Sequence, residues 1–143
     1  MHIYVASSWR NALQPAIVAV LRSMGHEVYD FRHPAPGDNG FAWSEIDPDW
    51  QAWTPQQYRH ALEHPAAVRG FRLDIDALNA CDACLLVLPS GRSASFEFGY
   101  AVGKGKRGAV LMLDKYEPEL MYRGNQILTT MPELFDWAGA KPR

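Results

Sequence analysis

Glu97 is a lone carboxylate set among three aromatic side chains, Phe96, Phe98 and Tyr100, in the segment SASFEFGYAVGKGK that runs from Ser93 to Lys106. An unpaired carboxylate in an apolar setting is costly and shifts its pKa, which is the condition of a working acid, base or nucleophile. The plain alternative is that acids favour the first turn of a helix, where the dipole is worth about 0.3–1 kcal/mol. A capping box does not account for it, because the residue three positions earlier is Ala94, which has no side-chain acceptor. Residue chemistry leaves both readings open. A second carboxylate, Asp74, lies eight residues before Asp82, with Asp76 close by. These acids read either as a solvated edge or as the partner of Glu97. Two carboxyl groups flanking one glycosidic bond can cleave it, one attacking and the other handling protons.

The elements that must position these residues follow from the pattern around them. The unbroken apolar run Leu85-Leu86-Val87-Leu88 reads as a strand buried on both faces. Pro89-Ser90-Gly91 breaks it, and Ser93 is the expected cap of a helix with Glu97 in its first turn. Strand, Gly/Ser turn and helix start make the ligand end of a parallel α/β sheet. Upstream, Ile3–Ala6 reads as a strand, Ser7-Ser8 as turn and cap, and a helix should run to about Met24, followed by a second strand at Glu27–Phe31. Helices are expected around Pro55–His64 and Ala66–Asn79, strands at Gly108–Leu113 and Gln126–Thr129, and helices at Glu117–Tyr122 and Pro132–Trp137. This alternation predicts one domain over 1–143, an α/β flavodoxin-like doubly wound sheet of five parallel strands in the order 2-1-3-4-5. Tyr4–Asn11 and Pro89–Glu97 should then lie side by side at the carboxyl ends of the strands. From His33 to Thr54 there is no periodicity, yet Phe41, Trp43, Trp50 and Trp53 argue for order. This segment reads as an aromatic lid over a flat ligand, or as a loop packed on the core.

The helix segment resembles the Glu-x-Gly-Tyr-Ala helix of the nucleoside 2-deoxyribosyltransferases and related nucleotide N-glycosidases. The resemblance implies that Glu97 attacks the anomeric carbon of a sugar. It implies that Asp74, in the pattern Asp74, Leu78, Asp82, positions the nucleoside and takes part in proton transfer to the leaving base. Tyr4, in IYVASSWRN, falls on the tyrosine that orients the nucleophile, and Trp9 on an aromatic beside the bound nucleoside. Ser8 and Arg10 are more similar to the nucleotide hydrolases, whose turn grips a 5′-phosphate, and Ser90, Gly91, Arg92 and Ser93 would form a second cradle. EPELMYRG, Glu117–Gly124, is similar to a segment lent to a neighbouring subunit's site, with Glu119 and Met121 as its contributions, so a dimer or larger homo-oligomer is expected. One departure stands out: the transferases carry an acidic residue six positions before the nucleophile, where this chain has Gly91.

Other strings carry less. Gly103-x-Gly105-x-x-Gly108 matches a dinucleotide fingerprint but lies where a helix runs into a strand, so it reads as a helix C-cap and turn. Cys81-x-x-Cys84 reads as packing, and His60 with His64 lacks a third metal ligand. A net charge of −2 from 14 basic and 16 acidic side chains mixed along 143 residues gives no nucleic-acid-binding face. No apolar run approaches the roughly 18 residues of a membrane span. The start, Met1-His2-Ile3-Tyr4, lacks the features of a signal peptide, and two cysteines make no disulfide framework, so a cytoplasmic location is expected. The expectation is an enzyme that cleaves the N-glycosidic bond of a nucleoside or nucleoside monophosphate through a covalent glycosyl-Glu97, with no metal or cofactor. A nucleoside 5′-monophosphate N-glycoside hydrolase is the alternative. From another class, a non-catalytic nucleotide-binding sensor remains, though a sensor has no need of paired acids.

Overall fold

The computed structural model describes residues 1–139. Five strands, β1 (His2–Ala6), β2 (Glu27–Asp30), β3 (Ala83–Val87), β4 (Arg107–Leu111) and β5 (Gln126–Leu128), form one sheet in the order β2-β1-β3-β4-β5. Every pairing is parallel. All five side chains of β3 are buried, as an apolar strand in the middle of a parallel sheet must be. The helices are α1 (Gln14–Ser23), α2 (Pro55–Ala61), α3 (Pro65–Ala80), α4 (Arg92–Gly103) and α5 (Met131–Gly139). No helix among the described residues is long and apolar enough to cross a membrane. The chain divides into two compact units: Met1–Asp30 with the chain from Leu78 onward, and Phe31–Ala77.

In the sheet-bearing unit, strand alternation sorts side chains into two faces. One face carries Ile3, Val5, Val28, Leu85, Val87, Ala109 and Leu111, covered by Ile17, Val18 and Leu21 of α1 and Leu134, Trp137 and Ala138 of α5. The other face carries Tyr29, Tyr4, Cys84 and Gly108 side by side across four strands, since each pairs in register with the next. Helix α4 packs there, turning Ala94, Phe98 and Ala101 inward. Its end is set by Gly105, whose φ of +79° suits a residue without a Cβ. The Lys106 amide donates to Ala101 O and the Gly105 amide to Val102 O, the two hydrogen bonds of a Schellman cap. The glycine-rich string is therefore a helix stop.

Most element ends fall within a few residues of expectation, and three differences bear on the site. Helix α1 begins only at Gln14, because Ser7 and Asn11 use their side chains elsewhere. Helix α4 begins at Arg92 with Gly91 as its N-cap residue, so Ser93 lies inside the first turn and Glu97 falls in the second. The helix expected over Glu117–Tyr122 is a 3₁₀ turn at Leu120–Gly124, preceded by Glu119 in extended conformation.

The Phe31–Ala77 unit turns the aperiodic stretch into two 3₁₀ turns, Trp43–Glu45 and Trp50–Ala52, leading into α2 and α3. The ring of Trp43 meets Phe41 at 4.8 Å, Trp53 at 5.6 Å and Tyr58 at 5.8 Å, all edge-on. Phe41 lies against Gly70 of α3, where a Cβ would come within 3.1 Å of the Phe41 Cβ. Most of these aromatics are thus spent on one another, and of the three tryptophans here only Trp50, 37% accessible, is exposed rather than half-buried. Two carboxylates anchor the loop: Asp38 accepts from Arg69 and from the Gly40 amide, and Asp47 accepts from the Asp49 amide and, at 2.8 Å, from Trp53 Nε1. The Arg69 hydrogen bond is the main reason the Asp38 carboxyl is held below its ordinary value, and the Asp49 amide, then Trp53, does the same for Asp47. A lowered folded-state pKa means that this stabilisation is fully present above the unfolded value of 3.8 and is lost as pH falls through the lower folded one. Acidification below about pH 4 should therefore change tryptophan emission before far-ultraviolet ellipticity falls. An Asp47→Asn variant should lose that early step; an unaltered profile would show that the Asp47–Trp53 bond does not hold the loop.

Candidate active site

The crevice of a doubly wound sheet opens where the strand order reverses, here between the carboxyl ends of β1 and β3. The two loops leaving those ends are bound to each other. Ser7 Oγ donates to Val87 O at 2.8 Å, and Asn11 Nδ2 donates to Ser7 Oγ at 2.9 Å and to Val87 O and Pro89 O at 3.3 Å. Both side chains are buried, at 9% and 3% exposure. The expected juxtaposition of Tyr4–Asn11 with the loop that begins at Pro89 is thus built from two residues the sequence had not singled out. Their only signal was small polar residues directly after a strand, which reads equally well as a turn.

Glu97 is half-buried, one position from the inward stripe of Ala94, Phe98 and Ala101. Its charge acts on Cys84: burial pushes that thiol far up, and the neighbouring Cys81 and Glu97 push it further. Cys84 is the register partner of Tyr4. Helix α4, which carries Glu97, covers the face of the sheet that holds Tyr4, since its Val102 and Phe98 lie against Gly108, in register with Cys84 and Tyr4. Tyr4 is fully buried, and its ring stacks on Tyr29 with centroids 5.0 Å apart and planes at 21°. Full burial and the stack on Tyr29 hold the phenol in place.

At the crevice rim, Ser8 is half-buried and takes the Arg10 amide on its hydroxyl at 3.1 Å, while Arg10 is exposed and Trp9 is 50% accessible. Across from them, Ser90 is half-buried, and Gly91, Arg92 and Ser93 are exposed at the start of α4. Glu119 and Met121 are exposed, the latter at 85%. Asp74 lies on α3 within the Phe31–Ala77 unit and is half-buried, whereas Asp76 is exposed. Asp82 has a structural task, accepting the His2 amide at 2.8 Å where β1 begins. Cys81 is buried and donates to Leu78 O, so the Cys-x-x-Cys string is packing. A separate hollow of about 620 Å³ opens in the Phe31–Ala77 unit beside Ile46, Trp53, Gln57, His60 and His64, and contains none of the expected site residues.

Solved structures with this arrangement of strands and helices include a 2-deoxyribosyltransferase from the psychrotolerant bacterium Bacillus psychrosaccharolyticus, 17% identical, with a TM-score of 0.60 over 100% of this chain and 99% of that one. The fold is that of a 2-deoxyribosyltransferase. It is also that of the CMP N-glycosidase BcmB of Clostridium botulinum, 17% identical, with a TM-score of 0.54 over 98% of this chain and 100% of that one. A conserved protein from Enterococcus faecalis V583 matches at 14% identity and a TM-score of 0.57, over 96% of both chains. No protein-family model matches the chain, and no curated protein matches it. What the likeness carries is the sheet, its order and its crevice; the side chains argue for themselves.

Proposed function

We propose that this chain, acting as a single 2-deoxyribosyltransferase-like domain in the cytoplasm, cleaves the N-glycosidic bond of a (deoxy)nucleoside or nucleotide. The observation that carries the reading is Glu97, half-buried on the helix that covers the sheet face holding the phenol of Tyr4, next to the crevice between β1 and β3. A Glu97 oxygen forms a bond to C1′ as the bond from C1′ to the base nitrogen breaks, through an oxocarbenium-like transition state. Asp74 delivers a proton to the departing base, and Tyr4 orients the attacking carboxylate. The ester on Glu97 is then opened by a second base, which is transfer, or by water, which is hydrolysis. Ser8, Arg10, Ser90, Arg92 and Ser93 offer hydroxyls, guanidinium groups and helix-start amides to a 5′-phosphate, and Trp9 an aromatic face to the nucleoside. The exposed Leu120 and Met121, at 81% and 85%, favour a homo-oligomer in which Glu119 and Met121 serve a neighbouring site.

Gly91 favours the second reading, a nucleoside 5′-monophosphate hydrolase, since a transferase would have an acid there to recognise the base. One experiment separates them. The protein is incubated with a deoxynucleoside or its monophosphate, with and without an acceptor base, and free base is measured. Exchange of bases identifies a transferase; release only from the monophosphate identifies the hydrolase. Tight binding of an intact nucleotide with no release would mean a sensor.

A further inference from the structure

We propose that Ser7 and Asn11 are positioning residues that fix the Glu97 helix for the chemical step, an inference that rests on the proposed glycosidic cleavage. Strand β1 ends at Ala6, whose register partner on β3 is Leu86. Beyond that point the chain still has buried carbonyls to satisfy, and a buried acceptor without a donor is costly. Side chains complete the ladder. The Ser7 hydroxyl donates to Val87 O at 2.8 Å, and the Asn11 amide donates to Ser7 Oγ at 2.9 Å and to Val87 O and Pro89 O at 3.3 Å. Asn11 is itself held, its Oδ1 accepting the Leu13 amide at 3.0 Å and its backbone N–H donating to Ser8 O at 3.0 Å.

The bonds to Val87 O and Pro89 O tie the Ser8-Trp9-Arg10 loop to the last residues before Ser90 and Gly91. Gly91 is where α4 starts, and Gly91 itself makes no side-chain cap. The direction in which α4 leaves the sheet is therefore set from the other side of the crevice. Glu97 rides six residues into that departure. Neither Ser7 nor Asn11 has an atom to spare for a ligand, so loss of either should disturb alignment more than affinity. Misplacing a reacting group by about 1 Å can cost roughly 10²-fold in rate.

The test uses Ser7→Ala, Asn11→Ala and Ser7→Thr. With wild-type base release first established, Ser7→Ala and Asn11→Ala should lower kcat by roughly 10–100-fold while KM changes by less than about threefold. Ser7→Thr, which keeps the hydroxyl, should recover most of kcat. Amide exchange between Leu88 and Ser93 should quicken in both alanine variants under conditions where they remain folded. If either alanine variant fails to fold, Asn11→Ser supplies the same comparison. Unchanged kcat in an active protein overturns the proposal, as does a fall in melting temperature with no change in the ratio of kcat to KM. A wild-type protein that releases no base sinks the functional reading instead. The brace is then judged by exchange alone, and unaltered protection between Leu88 and Ser93 would reject it.

Discussion

Replacing Glu97 with alanine abolishes base release, lowering kcat by roughly 10³-fold or more, because the atom that forms the bond to C1′ is gone. The size of the effect separates covalent catalysis from electrostatic assistance. A carboxylate that only stabilised positive charge could be replaced in part by water. A nucleophile cannot. The fold should survive, since Glu97 stands beside the inward stripe of α4 and the buried contacts belong to Ala94, Phe98 and Ala101. Asp74→Asn should cost less, roughly 10²-fold, as expected for loss of proton transfer alone, and least with a base that leaves easily. Incubation of wild-type protein with a 2-fluoro nucleoside should add one sugar to the peptide containing Glu97, read by mass spectrometry. Full activity in Glu97→Ala, or a sugar found on another side chain, removes the mechanism.

What could be read from the chain and what could not divide along physical lines. The apolar run at Leu85–Leu88 is a local signal, and it gave the central strand; the spacing of strands and helices around it gave the order β2-β1-β3-β4-β5. Glu97 was conspicuous because its neighbours are aromatic, a property of adjacent residues. The brace of Ser7 and Asn11 was invisible because its acceptors, Val87 and Pro89, lie about 80 residues away, and a serine after a strand is ambiguous until its partner is known. The start of α4 was misjudged by the same logic. Ser93 looked like a cap, but the helix begins one residue after Gly91 because the loop is held from β1. The aromatic stretch was correctly expected to be ordered. Its ring-on-ring contacts within Phe31–Ala77 needed coordinates, since sequence spacing does not say which tryptophan meets which.

Gly108 shows how a residue with no chemistry of its own can govern Glu97. It sits on β4 opposite Cys84, on the face that α4 covers. A Cβ added there would come within 2.6 Å of Val102 Cγ2 and of Asn125 Oδ1, and 3.1 Å from Phe98 Cζ. Carbon atoms rest at about 3.5–4.0 Å, so something must move by about 1 Å. Val102 is branched at its β-carbon and short, with little room to turn away within a helix. Phe98 is held on the buried side of α4. The movement is therefore passed to the helix, and with it to Glu97, one residue before Phe98. Gly108→Ala should cost about 1–3 kcal/mol of stability, a fall in Tm of roughly 3–10 °C for a chain of this size. It should also lower base release by about tenfold or more at temperatures where the variant is fully folded. Removing the obstruction from the opposite side tests the cause. In a Gly108→Ala, Val102→Ala double variant, the two costs should fall short of additivity, because the new methyl partly fills the space the valine leaves. If Gly108→Ala melts and turns over like the wild type, α4 is not seated on β4 through this glycine, and the route by which the sheet fixes the position of Glu97 must run elsewhere.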